Sequence, residues 1–312
     1  MGSSRNGGGE FELIRQLRQR WSDLAPAIGD DAAVVQPSRG EQIVVSTDAA
    51  IDRVHFRRDW GKLSLEEIGY RAVTAALSDL AAMAAAPRGV LVAIELSAKA
   101  QDDLMPIADG IADAVRTAGT IILGGNLTKG AALGITTTVV GSAFTPLGRR
   151  GARPGDLLYV TGSLGGPNAA LTAWRRKKKP SAQLRARFVR PSARIAEARW
   201  LATRGAVAAI DISDGLTGDA AHLAEGSNVG LEIDVDRVPT FEGATPADAL
   251  SGGEEYELLV AARAPLPEVE FAERFGIPLT PIGRAVDGES HVSLSMNGKR
   301  VAAPKGYDHF SR

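Results

Sequence analysis

The segment AIDISDGL, residues 209–216, places two aspartates three residues apart, with a serine between them and a glycine behind them. The apolar residues 206–210 before this pair predict a short buried strand. Residues 217–225 after it predict a helix with Thr217 as its N-cap and Gly226 at its end. The two carboxylates are therefore expected where a strand passes into a helix.

Carboxylates in such a place have two interpretations. An open α/β sheet binds ligands at the ends of its strands, and a helix N-terminus attracts anions. Asp211, Ser213 and Asp214 would then hold a divalent cation together with phosphate. Alternatively, the aspartates serve only as a helix cap and an Asp-Gly turn. This stretch alone favours neither interpretation, and the other stretches of the same kind have to decide.

Composition argues against several classes of function. At 312 residues the chain is long enough for two domains. The 36 basic and 37 acidic residues give a net charge of −1, which argues against a general binder of nucleic acid or anionic membranes. There is no cysteine, and the four histidines are scattered, so a zinc site is not expected. Without a membrane-spanning run or a signal peptide, we expect a cytoplasmic protein.

A change in composition marks the predicted domain boundary. Residues 145–156 are rich in proline, glycine and arginine. We therefore expect a disordered Gly/Ser-rich tail over residues 1–10, an N-terminal domain over 11–148 and a C-terminal α/β domain over 149–312.

Local patterns predict elements in the N-terminal half. Residues 32–35 and 41–45 are expected to pair as a hairpin. Ser64, with a glutamate three residues later, predicts a capping box at the start of a long helix. The glycine-rich residues 124–130 are expected to form a turn that brings backbone amides and Lys129 near a phosphate.

Oxygen-bearing side chains recur beside apolar runs. Asp79, for example, lies at the apolar face of a predicted helix, where an unpaired carboxylate would be costly. The full set comprises Asp30, Asp31, Ser46, Thr47, Asp48, Asp79, Asp211, Ser213 and Asp214. Oxygen ligands without cysteine or clustered histidine favour Mg²⁺, which usually works with phosphates. The residues thus predict a Mg²⁺-dependent phosphoryl transfer or another ATP-driven step.

Nine short stretches, in one order along nearly the whole chain, resemble the thiamine-monophosphate kinases. Each stretch is weak alone, and their order makes the resemblance specific. They are Ile28–Asp31, Ser46–Asp48, Val54–Phe56, Leu77–Met83, Gly124–Gly125 with Thr128 and Gly130, Gly151–Asp156, Ile210–Leu216, Ser251–Leu258 and Lys305–Phe310.

The resemblance implies a fold and an assembly. The fold is α/β (α+β), with the two domains of the aminoimidazole ribonucleotide synthetase-like superfamily. The N-terminal domain would bind ATP and Mg²⁺, and two copies of it would pair into a β-barrel across a homodimer, which hides exposed sheet edges.

The resemblance also implies roles for single residues. The metal ligands would be Asp31, Ser46, Thr47, Asp48, Asp79, Asp211 and Asp214, with Asp30 and Asn126 as further candidates. The ATP contacts would be Gly125, Asn126, Arg149 and Ser213. The contacts to thiamine monophosphate would be His55, Glu254 and Tyr307. Considered alone, His55 is more often an ordinary surface histidine than a ligand.

The implied reaction converts ATP and thiamine monophosphate into ADP and thiamine diphosphate with the help of several Mg²⁺ ions. The acceptor is already a phosphate and largely ionised at neutral pH, so no residue is needed as a general base. Catalysis would consist of holding two polyanions in line and neutralising them.

One departure keeps other interpretations open. Asn126 stands where the family usually has an aspartate, and an amide brings no charge to a metal. The alternatives are a weakly active or non-catalytic homologue that binds ATP or thiamine phosphates, and another ATP-dependent enzyme of the same superfamily.

Overall fold

The computed structural model describes residues 9–29, 31–60 and 62–304. Contacts between residues divide the chain into two compact units. The N-terminal unit comprises Met1–Leu77 and Pro87–Ser142, and the C-terminal unit comprises Ser78–Ala86 and Ala143–Arg312. Both units combine helices with a sheet, so the predicted two-domain α/β organisation is confirmed. The domain limit at residue 148 stays a prediction.

The N-terminal unit is built on a four-stranded sheet with the strand order β1-β4-β2-β3, in which β2 and β3 run parallel. Its elements are α1 (Glu10–Trp21), β1 (Gln42–Ile51), α2 (Leu65–Ala82), β2 (Ala86–Leu96), α3 (Leu104–Thr117), β3 (Ile122–Lys129) and β4 (Gly134–Ala143), with 3₁₀ turns at Ser22–Leu24, Arg58–Trp60 and Ala98–Asp103. The last residues of α2 are counted with the C-terminal unit.

Helix α1 packs through one face. Leu13, Leu17 and Trp21 recur at helical spacing and are buried. The Trp21 indole N–H donates to the carbonyl of Ala108 on α3 at 3.0 Å, which satisfies its polar atom within the core.

The C-terminal unit is built on a seven-stranded sheet with the order β11-β10-β7-β9-β5-β8-β6. Strands β7 and β10 run parallel, and the other neighbours run antiparallel. Its elements are β5 (Leu157–Thr161), α4 (Gly166–Arg175), α5 (Ala182–Val189), α6 (Ile195–Thr203), β6 (Ala206–Asp211), α7 (Leu216–Ser227), β7 (Gly230–Asp234), a 3₁₀ turn (Val235–Arg237), α8 (Pro246–Ser251), β8 (Leu258–Ala262), α9 (Glu268–Phe275), β9 (Leu279–Val286), β10 (His291–Met296) and β11 (Lys299–Val301).

Both faces of this sheet are covered. Leu158 and Val160 on β5 pack into a core with Leu216 and Leu223 of α7, whereas Tyr159 between them belongs to the core on the other face. Because successive side chains point to opposite faces, a strand buried on both faces reads as a continuous apolar run. This explains why the apolar run at residues 206–210 predicted β6 correctly.

The predicted capping box at Ser64 is confirmed. The Glu67 amide donates to the Ser64 hydroxyl at 3.2 Å, and the Ser64 amide donates to the Glu67 carboxylate at 2.9 Å. None of the helices in the described part of the chain is both long and apolar enough to cross a membrane.

The predicted hairpin is wrong in its first arm. A turn closes at Gly40, and β1 follows it, but residues 32–38 form no strand. Val34 in that segment is 94% exposed, so it has no apolar surface to pack against. Pro37 further removes a backbone donor that a ladder would need.

The predicted glycine turn at residues 124–130 is also wrong. Gly125 and Asn126 lie within β3, opposite Val92 and Ala93 of β2. A Cβ on Gly125 would come within 1.9 Å of the Val92 carbonyl oxygen, so this glycine serves close strand pairing.

Two expectations around Asp211 change as well. The N-cap position of α7 is Gly215 rather than Thr217, which is buried in the first turn. The helix continues past Gly226 and ends at Asn228, whose left-handed backbone stops it. Strand β6, which ends at Asp211, pairs antiparallel with β8.

Candidate active site

Asp211 is the centre of the site in the C-terminal unit. It ends β6, is 5% exposed and accepts a hydrogen bond from the Ser78 hydroxyl at 2.7 Å. Burial, and next the charge of Asp79, raise the pKa of Asp211 to about 7, against the hydrogen bond from Ser78. Two neighbouring carboxylates, here buried Asp211 and half-buried Asp79, repel each other unless a proton or a cation lies near them. The pair is therefore a candidate for binding a divalent cation.

Asp219, which the sequence reading missed, shapes the loop that follows Asp211. One of its carboxylate oxygens accepts the backbone N–H groups of Ser213 and Asp214, each at 3.0 Å. Burial, followed by the charges of Asp211 and Asp214, raises the pKa of Asp219 to about 7, against the backbone hydrogen bonds. The available signal was an aspartate in the first turn of a predicted helix, close behind the acidic motif.

The antiparallel pairing of β6 and β8 brings a second predicted segment to this loop. Asp211 lies opposite Leu258, so the residues after Asp211 run beside the residues before Leu258. The Glu254 N–H donates to the Ser213 carbonyl at 2.8 Å, and the Tyr256 N–H donates to the Ile212 carbonyl at 2.9 Å. The candidate substrate residue Glu254 is thus attached to the candidate metal loop.

The backbone of this second segment, the Glu254 turn (residues 253–257), is unusual. Glu254 and Tyr256 have φ angles of 63° and 54°, in the left-handed region that non-glycine residues seldom occupy. Such conformations persist only where surrounding contacts hold them, and they concentrate at functional sites.

Below the turn lies a buried ion cluster, which the sequence reading also missed. Glu257 accepts hydrogen bonds from Arg187 and Arg194 at 2.5 Å each and from the Thr161 hydroxyl at 2.7 Å. Burial works to raise the pKa of Glu257, but the two arginines hold it below its usual value. Burial raises the pKa of the neighbouring Glu255 to about 8, although the charge of Arg187 opposes this.

Arg149, a candidate ATP contact, belongs to the same region. The positive charge of its guanidinium interacts electrostatically with Asp211 and acts to lower the pKa of that carboxyl. Its carbonyl accepts the Ser227 hydroxyl at 2.7 Å, and its side chain is exposed. The C-terminal unit therefore brings together the candidates Asp79, Asp211, Ser213, Asp214, Arg149 and Glu254.

The candidates of the N-terminal unit lie in more open places. On β1, the Thr47 hydroxyl contacts the Thr138 hydroxyl at 3.0 Å, and Asp48 accepts the Ala49 N–H at 2.7 Å. Ser46 is half-buried on the same strand. His55 follows β1, and its Nδ1 accepts the Ile51 N–H at 3.1 Å, which leaves the ring proton on Nε2.

Asp31 and Asn126 lie away from β1. Asp31 is exposed in the loop before that strand, and Gly125 and Asn126 are exposed on β3. Strands β1 and β3 form opposite ends of the sheet, and three strand spacings between them make about 14 Å along it. The roles of these residues stay predictions.

Among the described residues, no three histidine or acidic side chains converge in the geometry of a metal site. The C-terminal unit offers the Asp79 and Asp211 pair with Asp214 and Asp219 nearby, rather than a complete set of ligands. Asp30 and Tyr307, together with the ending Lys305–Phe310, lie outside the described residues.

Comparison with known proteins identifies the family. The N-terminal domain model of AIR synthase related protein matches residues 29–143, and its C-terminal domain model matches residues 153–294. The thiamine-monophosphate kinase of Salmonella typhimurium is 32% identical over 329 residues, which cover 97% of this chain and 98% of that protein. The chain belongs to the thiamine-monophosphate kinase family. The resemblance inferred from the nine stretches is thereby confirmed, and with it the assignment as a kinase.

Solved structures of this family have the same fold. The thiamine-monophosphate kinase of Stenotrophomonas maltophilia K279a matches with a TM-score of 0.81 and 32% identity, covering 94% of this chain and 98% of that one. A structure described as AaThiL complexed with AMPPCP and TMP matches with a TM-score of 0.76 and 31% identity, over 97% of each chain.

Proposed function

We propose that this chain transfers the γ-phosphoryl group of ATP to thiamine monophosphate and releases ADP and thiamine diphosphate. The observation that carries the proposal is the hydrogen-bonded attachment of the Glu254 turn to the Ser213 loop, in a chain of this family. It places a residue expected to bind the acceptor beside residues expected to bind the donor. A relative that holds both AMPPCP and TMP supports the same pair of ligands.

The residues fit Mg²⁺ as the accompanying ion. Asp79 and Asp211 are hard oxygen donors, and a divalent cation would relieve both their mutual repulsion and the cost of burying Asp211. Asp214 would complete this group in the C-terminal unit. In the N-terminal unit, Asp31, Ser46, Thr47 and Asp48 supply the same kind of donor. Mg²⁺ ions, when bound, would neutralise the phosphates and orient them for in-line transfer.

The chain's own residues position the two substrates. Arg149 and the Ser213 hydroxyl would bind ATP phosphates, and His55 would donate from Nε2 to the acceptor's phosphate. Glu254 would pair with the cationic heterocycle of the acceptor. An oxygen of the acceptor's phosphate forms a bond to the γ-phosphorus while the bond from that phosphorus to the β–γ bridging oxygen breaks. No proton has to be removed from the attacking oxygen, which is why the site needs no general base.

We further infer that the enzyme is a homodimer that pairs through β1. This strand lies at one end of the described sheet and exposes apolar side chains, with Ile43 44% and Val45 59% exposed. An open apolar edge strand is a ready surface for a second copy. A charge on that edge, as in Val45→Lys, is expected to give monomers by analytical ultracentrifugation. Val269→Lys, at a residue that is 72% exposed on α9, should leave the mass of the dimer unchanged.

The test of the reaction is direct. Purified protein is incubated with Mg·ATP and thiamine monophosphate, and nucleotides and thiamine phosphates are separated by chromatography. One ADP for each thiamine diphosphate is the expected result. Calorimetric binding of both ligands without product would refute the kinase and favour the binding homologue that Asn126 suggests. ATP turnover that ignores thiamine monophosphate would favour another reaction of the superfamily.

A further inference from the structure

The ion cluster at the Glu254 turn contains two arginines that bind the Glu257 carboxylate, and one of them, Arg187, also donates to the backbone of the turn. Arg187 on α5 donates to Glu257 at 2.5 Å and, through the same Nη2 nitrogen, to the Glu255 carbonyl at 3.1 Å. Arg194 donates to Glu257 at 2.8 and 2.5 Å and contacts Glu197 at 3.3 Å. In the described part of the chain, Arg194 makes no hydrogen bond to the backbone of the turn.

We propose that Arg187 is a positioning residue that sets the place of the Glu254 carboxylate, and thereby the affinity of the site for the cationic heterocycle of the acceptor. This inference rests on the proposed function, because it needs Glu254 to contact thiamine monophosphate. It concerns one substrate only, since ATP is expected to bind through other residues.

The backbone of the turn explains why such a residue is needed. Glu254 and Tyr256, on either side of Glu255, both have left-handed backbone conformations. Without contacts that hold it, the backbone around the Glu255 carbonyl would relax to a more favourable conformation. On one side, the backbone N–H groups of Glu254 and Tyr256 donate hydrogen bonds to the loop that follows Asp211. From the interior side, Arg187 donates a hydrogen bond to the carbonyl of Glu255, the middle residue of the turn.

Arg187 is itself held firmly. Its side chain is 11% exposed, and Glu257 and Glu255 lie within 2.5 and 3.7 Å of its guanidinium. A Cβ on Gly166 would lie 2.8 Å from the Arg187 Cγ, and one on Gly162 would lie 2.4 Å from a Glu257 oxygen. The glycines thus leave the space that the cluster fills. A side chain confined in this way can fix the position of the Glu255 carbonyl to which it donates.

Lysine is the substitution that separates the two functions of Arg187. It keeps the positive charge beside Glu257, so no buried carboxylate is left without a counter-ion. Its side chain is one bond shorter, so its ammonium nitrogen does not reach the position from which the Arg187 Nη2 donates to both Glu257 and the Glu255 carbonyl. Arg194→Lys weakens the same ion cluster without changing a hydrogen bond to the backbone of the turn and is the matched control.

The experiment measures steady-state kinetics and thermal unfolding of both variants in the full chain. Arg187→Lys is expected to raise the KM for thiamine monophosphate roughly ten-fold, the effect of one lost hydrogen bond to a charged group, and to leave the KM for ATP within about two-fold. Arg194→Lys should leave both KM values within about two-fold, with a similar loss of thermal stability. Equal changes in both KM values, or equal behaviour of the two variants, would overturn the proposal.

A double-mutant cycle tests whether the effect passes through Glu254. In a Glu254→Gln background, Arg187→Lys should raise the KM for thiamine monophosphate by less than about two-fold, because the carboxylate that it positions is gone. Full additivity would contradict a positioning role. If Arg187→Lys does not fold, Arg187→Gln, which leaves Glu257 paired with Arg194, takes its place. A wild-type chain that forms no thiamine diphosphate would refute the proposed function and with it this inference, whereas an active wild type with unchanged variants would refute the inference alone.

Discussion

The candidate residues of the two units carry the same chemistry in opposite environments. In the C-terminal unit, Asp211 and Asp219 are buried, hydrogen-bonded to neighbouring groups and raised in pKa. In the N-terminal unit, Asp31 and Asn126 are exposed, and Asp48 is half-buried on a strand at the end of its sheet. The first group is assembled by folding, at a cost in stability, whereas the second is presented on the surface.

This difference teaches where preorganisation comes from. A carboxylate held in a buried network has already lost part of its hydration before any ligand arrives, so a cation meets little further reorganisation there. A carboxylate on an open strand keeps its water until the ligand displaces it. We therefore expect substitutions in the C-terminal group to lower activity and also to change the stability of the fold. Substitutions in the N-terminal group should lower activity and leave stability unchanged.

The largest expected effect is that of Asp211→Asn. Loss of this buried carboxylate should lower kcat/KM by about 10³-fold, because it is a proposed ligand of the Mg²⁺ that would neutralise the phosphates. The Mg²⁺-free protein at pH 8 should melt at the same or a higher temperature, since burial penalises the ionised carboxylate. Product chromatography and calorimetry measure the two effects.

Asp48→Asn is the matched variant for that comparison. Its amide oxygen can still accept the Ala49 N–H, so its melting temperature should stay within about one degree while activity falls. A rise in melting temperature for Asp48→Asn, or a fall for Asp211→Asn, would break the contrast between the two groups.

A smaller effect is expected at Asp219, where geometry can be separated from charge. Asp219→Ala removes the acceptor of the Ser213 and Asp214 amides and should lower kcat about 100-fold. Asp219→Asn keeps an oxygen that can accept both, and it should cost less than ten-fold. Equal losses in single-turnover assays would show that the charge, not the hydrogen bonding, is what matters.

The third prediction concerns stability and pH through Glu255. Burial raises its pKa to about 8 from 4.5, so between these values the native state holds a proton that the unfolded state has released. The free energy of unfolding should therefore fall as pH rises through this window, by up to about 1.4 kcal/mol per pH unit for one proton. Glu255→Gln should remove that slope in urea titrations from pH 5 to 9, and parallel curves for both proteins would contradict the buried acid.

The smallest expected effect is a gain at Asn126. Asn126→Asp adds a charge on exposed β3 and should lower the Mg²⁺ concentration for half-maximal rate by about three-fold. Thr128→Asp adds the same charge two residues further along the same face of the strand and should change it little. Equal gains from both variants would indicate a general electrostatic effect and no role for position 126.

Prediction from sequence worked where local physics alone decides. The capping box at Ser64 and the apolar run of β6 were found because each depends on near neighbours. It failed at residues 32–35 and 124–130, where a strand partner either was missing or was supplied by a distant segment. In the site, carboxylates beside apolar runs were recognised, but Asp219, Arg187 and Glu257 were not.

The sequence by itself determined the family and the lack of cysteine, because these depend on residue types and their order. Only the tertiary structure decided which acids are buried and which segments meet. The antiparallel pairing of β6 with β8 attaches the Glu254 turn to the loop after Asp211, although more than 40 residues separate them in the chain. Contacts over such distances arise from the register between strands, which no local pattern in either segment encodes.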